Sequence, residues 1–167
     1  MPATYEPIAT TTLTTTTNTI TFSSITSAYT DLRLVWTYLG TSSGAQPVIV
    51  LNNTSLGNLY SVTDLQGNGS SASSSRGTNQ NNLTLGFGVS TSTTIPSFTT
   101  FDLFNYAGST NKTGLYTSSN DKNGSGVVSR GVTLMRTTNA INRLDFYLAG
   151  ADQAAGTTAT LYGILKA

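Results

Sequence analysis

The sequence predicts an all-β protein: a single jelly-roll-like two-sheet sandwich of about eight to ten strands with an extended N-terminal arm. Three observations carry that expectation. Apolar residues recur with period two in short segments, polar turn signals separate those segments, and no ten-residue stretch shows helical spacing. Serine and threonine, about a third of the 167 residues, suit the same architecture. A β-branched threonine sits well on a pleat, and its hydroxyl keeps an outward face wet without charge.

Residues 5–13 form a candidate first, edge-like strand. The threonine runs at 10–12 and 14–17 leave two readings open, a low-complexity linker or an extension lying along a neighbouring subunit. Residues 1–17 are therefore assigned as an N-terminal arm or edge strand, with Tyr5, Ile8 and Leu13 as candidate subunit contacts, and 18–167 as the sandwich. In 19–24, Ile20 and Phe22 alternate with Thr19 and Thr21. In 30–39, Leu32, Leu34, Trp36 and Tyr38 point one way and Asp31, Arg33, Val35 and Thr37 the other. This strongest strand makes Trp36 a core residue.

Further strands are predicted at 46–51, 59–66, 83–89, 99–106, 114–118 and 127–137. The last sets Val132, Leu134 and Arg136 opposite Thr133 and Met135. Leu144, Phe146 and Leu148 alternate with Asp145 and Tyr147, and 158–165 sets Thr160, Tyr162 and Ile164 opposite Ala159, Leu161 and Leu165. Turn signals at 40–44, Asn52-Asn53, Gly67-Asn68-Gly69, Asn123-Gly124 and 150–156 punctuate the strands. Residues 70–82 lack a pattern and are expected to be a long polar loop. Ser70, Ser73, Arg76, Asn79, Gln80 and Asn81 make it the candidate contact loop.

Composition narrows the function. There is no histidine and no cysteine, so the side chains that most often run acid–base chemistry at neutral pH, bind zinc or attack as thiolates are missing. Charged residues are 9% of the chain, against the ~25% usual for soluble domains, and the net charge is +1. Eight scattered cations do not build a nucleic-acid surface. Near-zero charge instead suits a surface that sits within an assembly. No apolar run reaches the ~20 residues that span a bilayer, and the first residues lack a basic and an apolar region, so a cytoplasmically made, soluble chain is expected.

Motifs that resemble chemistry dissolve on inspection. Gly67-x-Gly69-x-x-Ala72 follows a predicted strand, but serines rather than a helix come next, and no acid stands at the ribose position. Ser109-x-x-Lys112, Ser119-x-x-Lys122 and Lys112-Thr113-Gly114 crowd into one turn-rich segment instead of coming from distant parts of a larger fold. Asp121-x-Asn123-x-Ser125 alternates oxygen ligands, yet Val132 stands where a calcium loop closes with glutamate. Asp31 and Asp145 are expected to face solvent or pair with Arg33 and Arg143 rather than form a glycosidase dyad. No catalytic, cofactor or metal residue is assigned, and no enzyme activity is expected.

The string itself carries a likeness. Tyr5-x-Pro7-Ile8-Ala9-x-x-x-Leu13 leads to Ile20-Thr21-Phe22-Ser23-Ser24-Ile25 and Tyr29-Thr30-Asp31-Leu32-Arg33-Leu34. Asn58-x-Tyr60-Ser61-Val62-Thr63, then Gly67-x-Gly69 with its serines to Arg76, and a closing Leu161-Tyr162-Gly163-Ile164 follow. Over most of its length the chain resembles small virion proteins of tailed bacteriophages, common among phages of cyanobacteria and other aquatic bacteria. The resemblance implies a jelly-roll-like sandwich on the virion surface, often a homotrimer. The resemblance leaves the position on the particle open; together with the all-β pattern, the low charge and the missing catalytic residue types it makes capsid cement, binding the major capsid protein across neighbouring subunits, the leading expectation. A tail-fibre module that binds cell-surface glycan is the alternative. It supplies no catalytic residue.

Overall fold

The computed structural model describes residues 4–55 and 57–165, and among them every regular element is a β-strand. In chain order these are β1 (Tyr5–Thr12), β2 (Thr19–Phe22), β3 (Asp31–Tyr38), β4 (Gln46–Leu51), β5 (Tyr60–Gly67) and β6 (Ala72–Gln80). Then come β7 (Leu83–Thr84), β8 (Ser97–Phe104), β9 (Lys112–Asn120), β10 (Val127–Met135), β11 (Leu144–Ala149) and β12 (Thr158–Ile164). They form two antiparallel sheets, a large one ordered β1-β12-β3-β8-β9-β10-β5-β6 and a small one ordered β2-β11-β4-β7.

The connectivity divides the large sheet. β1-β12-β3-β8 belongs with the small sheet, because β1 to β4, then β7 and β8, then β11 and β12 step alternately from one sheet to the other. The hairpins β5–β6 and β9–β10 are insertions into that kernel, and together they extend the large sheet on one side. Eight to ten strands were expected and twelve are present. The strand that no expectation covered is β6, which lies where a loop was predicted.

Residues 30–39 behave as their alternation predicts. Leu32, Leu34, Trp36 and Tyr38 are buried, and their neighbours on β3 face outward. The Trp36 ring lies 4.4 Å from Tyr38 and 5.2 Å from Phe146 across the sandwich, and Phe22 lies 5.2 Å from Phe146. Its Nε1 donates to Gln153 Oε1 at 3.1 Å, while Gln153 Nε2 donates to the Phe146 carbonyl at 3.1 Å. One buried glutamine thus ties both sheets to the 150–156 turn, satisfying an indole N–H that dry burial would otherwise strand.

Under the inserted hairpins the interior changes. Ser129, Thr133, Asp64 and Ser118 replace large apolar side chains, and each is buried. Thr99 Oγ1 shares hydrogen bonds with Tyr38 Oη at 3.3 Å and Ser118 Oγ at 2.8 Å. Asp64 accepts from Ser75 and, at 2.8 Å, from Ser129. Gly131 is small because the Tyr116 ring lies across it: a Cβ there would meet the ring and the Thr63 carbonyl at 2.6 Å.

Several expectations change. Residues 70–82 are not a loop, because β6 pairs with β5 from Gly67↔Ala72 to Tyr60↔Gln80. An edge strand whose inward side meets mainly polar groups needs no hydrophobic alternation, so period two had nothing to mark. The predicted strand at 83–89 stops after Thr84, since Gly86 and Gly88 take φ of 86° and 95° and turn the chain away. β1 pairs with β12 of its own chain, with a bulge between Pro7 and Ala9. Arg33 pairs with Asp102, directly opposite on β8, rather than with Asp31, whose carboxylate accepts from Asn105 N at 2.8 Å. Asp145 does pair with Arg143, but it is buried rather than facing solvent.

Candidate interaction surfaces

The six residues assigned to a contact loop are spread along one edge. Ser70 and Ser73 lie near the Gly67-Asn68-Gly69 turn, and Asn79 and Gln80 lie at the other end of a nine-residue strand, about 30 Å away at the usual rise per residue. Ser73 Oγ accepts from Gln66 Nε2 at 3.0 Å, and Asn79 Oδ1 accepts from Arg136 at 3.0 Å. Asn81 Oδ1 accepts from Asn58 N at 3.4 Å, and Arg76 is exposed. The structure does not gather them into one site. Of the arm contacts, Ile8 and Leu13 pack on the chain's own core. Tyr5 is exposed, with its ring edge-on to Tyr162 at 6.5 Å and Arg33 5.7 Å from its centroid.

Every acid is engaged by a protein donor. Besides the Asp31, Asp64, Asp102 and Asp145 contacts already given, Glu6 accepts from Tyr29 Oη at 3.2 Å, Asp121 from Gly124 N at 2.8 Å and Asp152 from Asn18 at 2.9 Å. The Asp121 bond closes the β9–β10 turn, where Asn123 and Gly124 take φ of 59° and 85°, so the calcium-like triplet works as an Asn-Gly hairpin turn. Gly67-Asn68-Gly69 likewise closes β5–β6, with Asn68 Oδ1 accepting from Ser70 N and Ser71 N at 3.0 and 2.8 Å. Among the described residues no group of three or more metal-ligating side chains converges.

The strongest perturbed groups are buried tyrosines. Burial pushes the Tyr116 and Tyr60 hydroxyls from the ordinary 10.0 up to about 12, and Tyr38 higher still. These hydroxyls face packed protein rather than a cleft. A cleft of about 270 Å³ does open between the turns, lined by Gln66, Asn68, Ser71, Ser73, Gly88 and Val127. Its groups are neutral amides and hydroxyls, fit for a polar uncharged ligand and not for proton transfer.

The other surface is larger. Among the described residues seven large hydrophobic side chains stand exposed: Tyr5, Leu65, Phe98, Phe104, Leu115, Val128 and Val132. By strand alternation all of them lie on the outer face of the large sheet. Leu65, at 65% exposed, is the most open. In the middle of this face Arg33 grips Asp102 through two contacts of 2.5 and 2.7 Å, a fork that neutralises both charges. The outer face of the small sheet is its opposite, lined by Thr19, Thr21, Tyr147 and the Arg143–Asp145 pair.

Period two locates the inward residues but not this face, which forms only where outward residues of separate strands come side by side. The signal was present in Val127-Val128 and in Val132 beside Met135, where apolar residues fall on both sides of one strand. No family model matches the chain, and no curated protein or solved structure matches it either.

Proposed function

We propose that this chain is a structural subunit that works by adhesion, and that its setting is the shell of a tailed-phage particle, where it acts as a capsid cement protein. The observation that carries the adhesive part is that, among the described residues, the exposed large hydrophobics all lie on one sheet face. Single exposed apolar residues are ordinary, but a contiguous patch marks an interaction site. The sequence resemblance supplies the particle. The sheet orders β1-β12-β3-β8 and β2-β11-β4-β7, with successive kernel strands changing sheet everywhere except from β4 to β7, support a jelly-roll reading, an architecture shared by viral capsid and lectin domains. Fold alone does not assign function, so the face carries more weight than the topology.

On this proposal the face is covered in the assembled shell, and repetition over many positions multiplies weak contacts. A cryo-EM map of the parent particle tests it. Hundreds of copies on the shell are expected, and a handful at the tail overturn the cement role. A second reading, a tail-borne module holding cell-surface glycan, is favoured by the neutral cleft between Gln66, Asn68 and Ser73. Binding on a glycan array that is lost in Ser73→Leu supports that reading, and an array without binders removes it.

A further inference from the structure

We propose that the outer face of the large sheet is a self-association surface, occupied by the same face of a second copy of this chain. The two copies are related by a two-fold axis that runs along the strands between β8 and β9. The pairing rests on the reading of this face as adhesive and is independent of the particle that carries it.

Position is the first argument. β8 and β9 are the middle of the eight-strand order. Phe98, Phe104 and Leu115 stand on them, Val128 and Val132 on the next strand, and Leu65 beyond that. The most apolar ground therefore runs from the sheet centre toward β5, and a self-contact centred between β8 and β9 buries it whole.

Area is the second. Eight strands at about 4.8 Å spacing, with strands of about 25 Å, make a face of roughly 900–1,000 Å². A stable interface needs about 800 Å² from each partner, so one face stacked on its copy supplies a full contact. Shape supports the match, because twisted sheets stack well on sheets of the same twist, and a second copy has it by construction.

Charge is the third. The ladders place Thr63, Val132, Leu115, Asp102, Arg33 and Tyr162 side by side in one row across the sheet. A two-fold axis along the strands reverses that row in the partner. Arg33 then lies over Val132, and Asp102 over Leu115. In the adjacent row, which runs from Leu65 and Arg130 to Val35, Arg130 lies over Val35. No like charges meet, and the charges at the centre already neutralise one another as the Arg33–Asp102 pair. The net charge of +1 adds little repulsion between copies. Such a contact is isologous and closes at two copies, in place of the trimer that the sequence resemblance implies.

Sedimentation of the purified full chain tests this. The expected result is a species of twice the chain mass that dissociates on dilution. The double variant Leu115→Lys/Val132→Lys is expected to weaken the dimer at least about a hundredfold while keeping the β-sheet circular dichroism of a folded chain. Thr19→Lys on the small sheet is expected to leave the dimer intact. A monomer or a trimer from the unaltered chain, or a dimer indifferent to the double variant, overturns the pairing.

A crosslink checks the axis. β3 and β10 of one chain are separated by β8 and β9, about 14 Å in all, whereas opposed residues of two stacked sheets lie only about 10 Å apart. Val35→Cys/Arg130→Cys is therefore expected to give a covalent dimer with a short bifunctional thiol reagent that spans the gap between stacked sheets but not the gap within one, since the chain has no other cysteine. A chain that stays uncrosslinked overturns the proposed axis. The two proposals separate cleanly. A dimer that does not bind emptied particles sinks the cement role alone, and a monomer that binds them sinks the pairing alone.

Discussion

Beneath β3 the interior is aromatic, and beneath β10 it is hydroxyls and glycine until Met135 rejoins the core, although both strands lie in the same sheet. Trp36, Tyr38 and Leu34 pack on Phe146 and Phe22 of the small sheet. Ser129, Gly131 and Thr133 face Asp64, Tyr116 and the coil after β7. The kernel is held by apolar area removed from water, while the inserted hairpins add Tyr60, Val62, Tyr116 and Met135 to that core and otherwise rest on ladder bonds and buried polar contacts. The contrast also explains the outer surface. A hairpin pair whose interior turns polar toward its turns gains by burying Leu65, Leu115, Val128 and Val132 outside, against a neighbour.

The largest test strikes the kernel. Trp36→Ala removes the ring between the sheets and strands Gln153, and it is expected to destabilise the chain by about 3–5 kcal/mol in urea unfolding. Asp64→Ala in the hairpin region is expected to lose about 1–3 kcal/mol, because the Ser75 and Ser129 hydroxyls lose their acceptor. Hydrogen exchange should then show opening confined to β5, β6 and β10. Equal global unfolding in both variants would break the division into kernel and extension.

Alkaline titration sharpens it. The folded-state values of Tyr60 and Tyr116 are raised to about 12, so the folded chain holds those protons more tightly than the unfolded one. Their stabilisation is complete below the ordinary value near 10 and is lost as pH rises through about 12. Urea midpoints are expected to fall across that window, and less steeply in Tyr116→Phe. The smallest effect is expected at Ser97, whose buried Oγ has no hydrogen-bond partner among the described residues. Ser97→Ala should leave stability unchanged or raise it by less than about 1 kcal/mol, read as a melting shift of a few degrees.

Much of the kernel is legible in the chain because burial on one face forces alternation. β3, β4, β11 and β12 fall within a residue or so of their predicted bounds. β6 was illegible for the converse reason: Ala72–Gln80 has no buried residue, and its register comes from the Gly67-Asn68-Gly69 turn and the β5 ladder. The pairing of Arg33 with Asp102 was equally hidden, since those residues meet only when β3 lies beside β8. The same holds for the interaction surface. Each exposed apolar residue is visible in the sequence, but their sharing one face depends on the strand order.

By itself, then, the order of residues determined the fold class, the principal core residues and the absence of histidine and cysteine chemistry. Side-chain period and turn propensity act over a few neighbouring residues, and such information is written locally. Tertiary structure alone decided which strands pair, where the seven exposed hydrophobics converge and which partner each carboxylate takes. Those contacts join residues far apart along the chain, and no local periodicity encodes them.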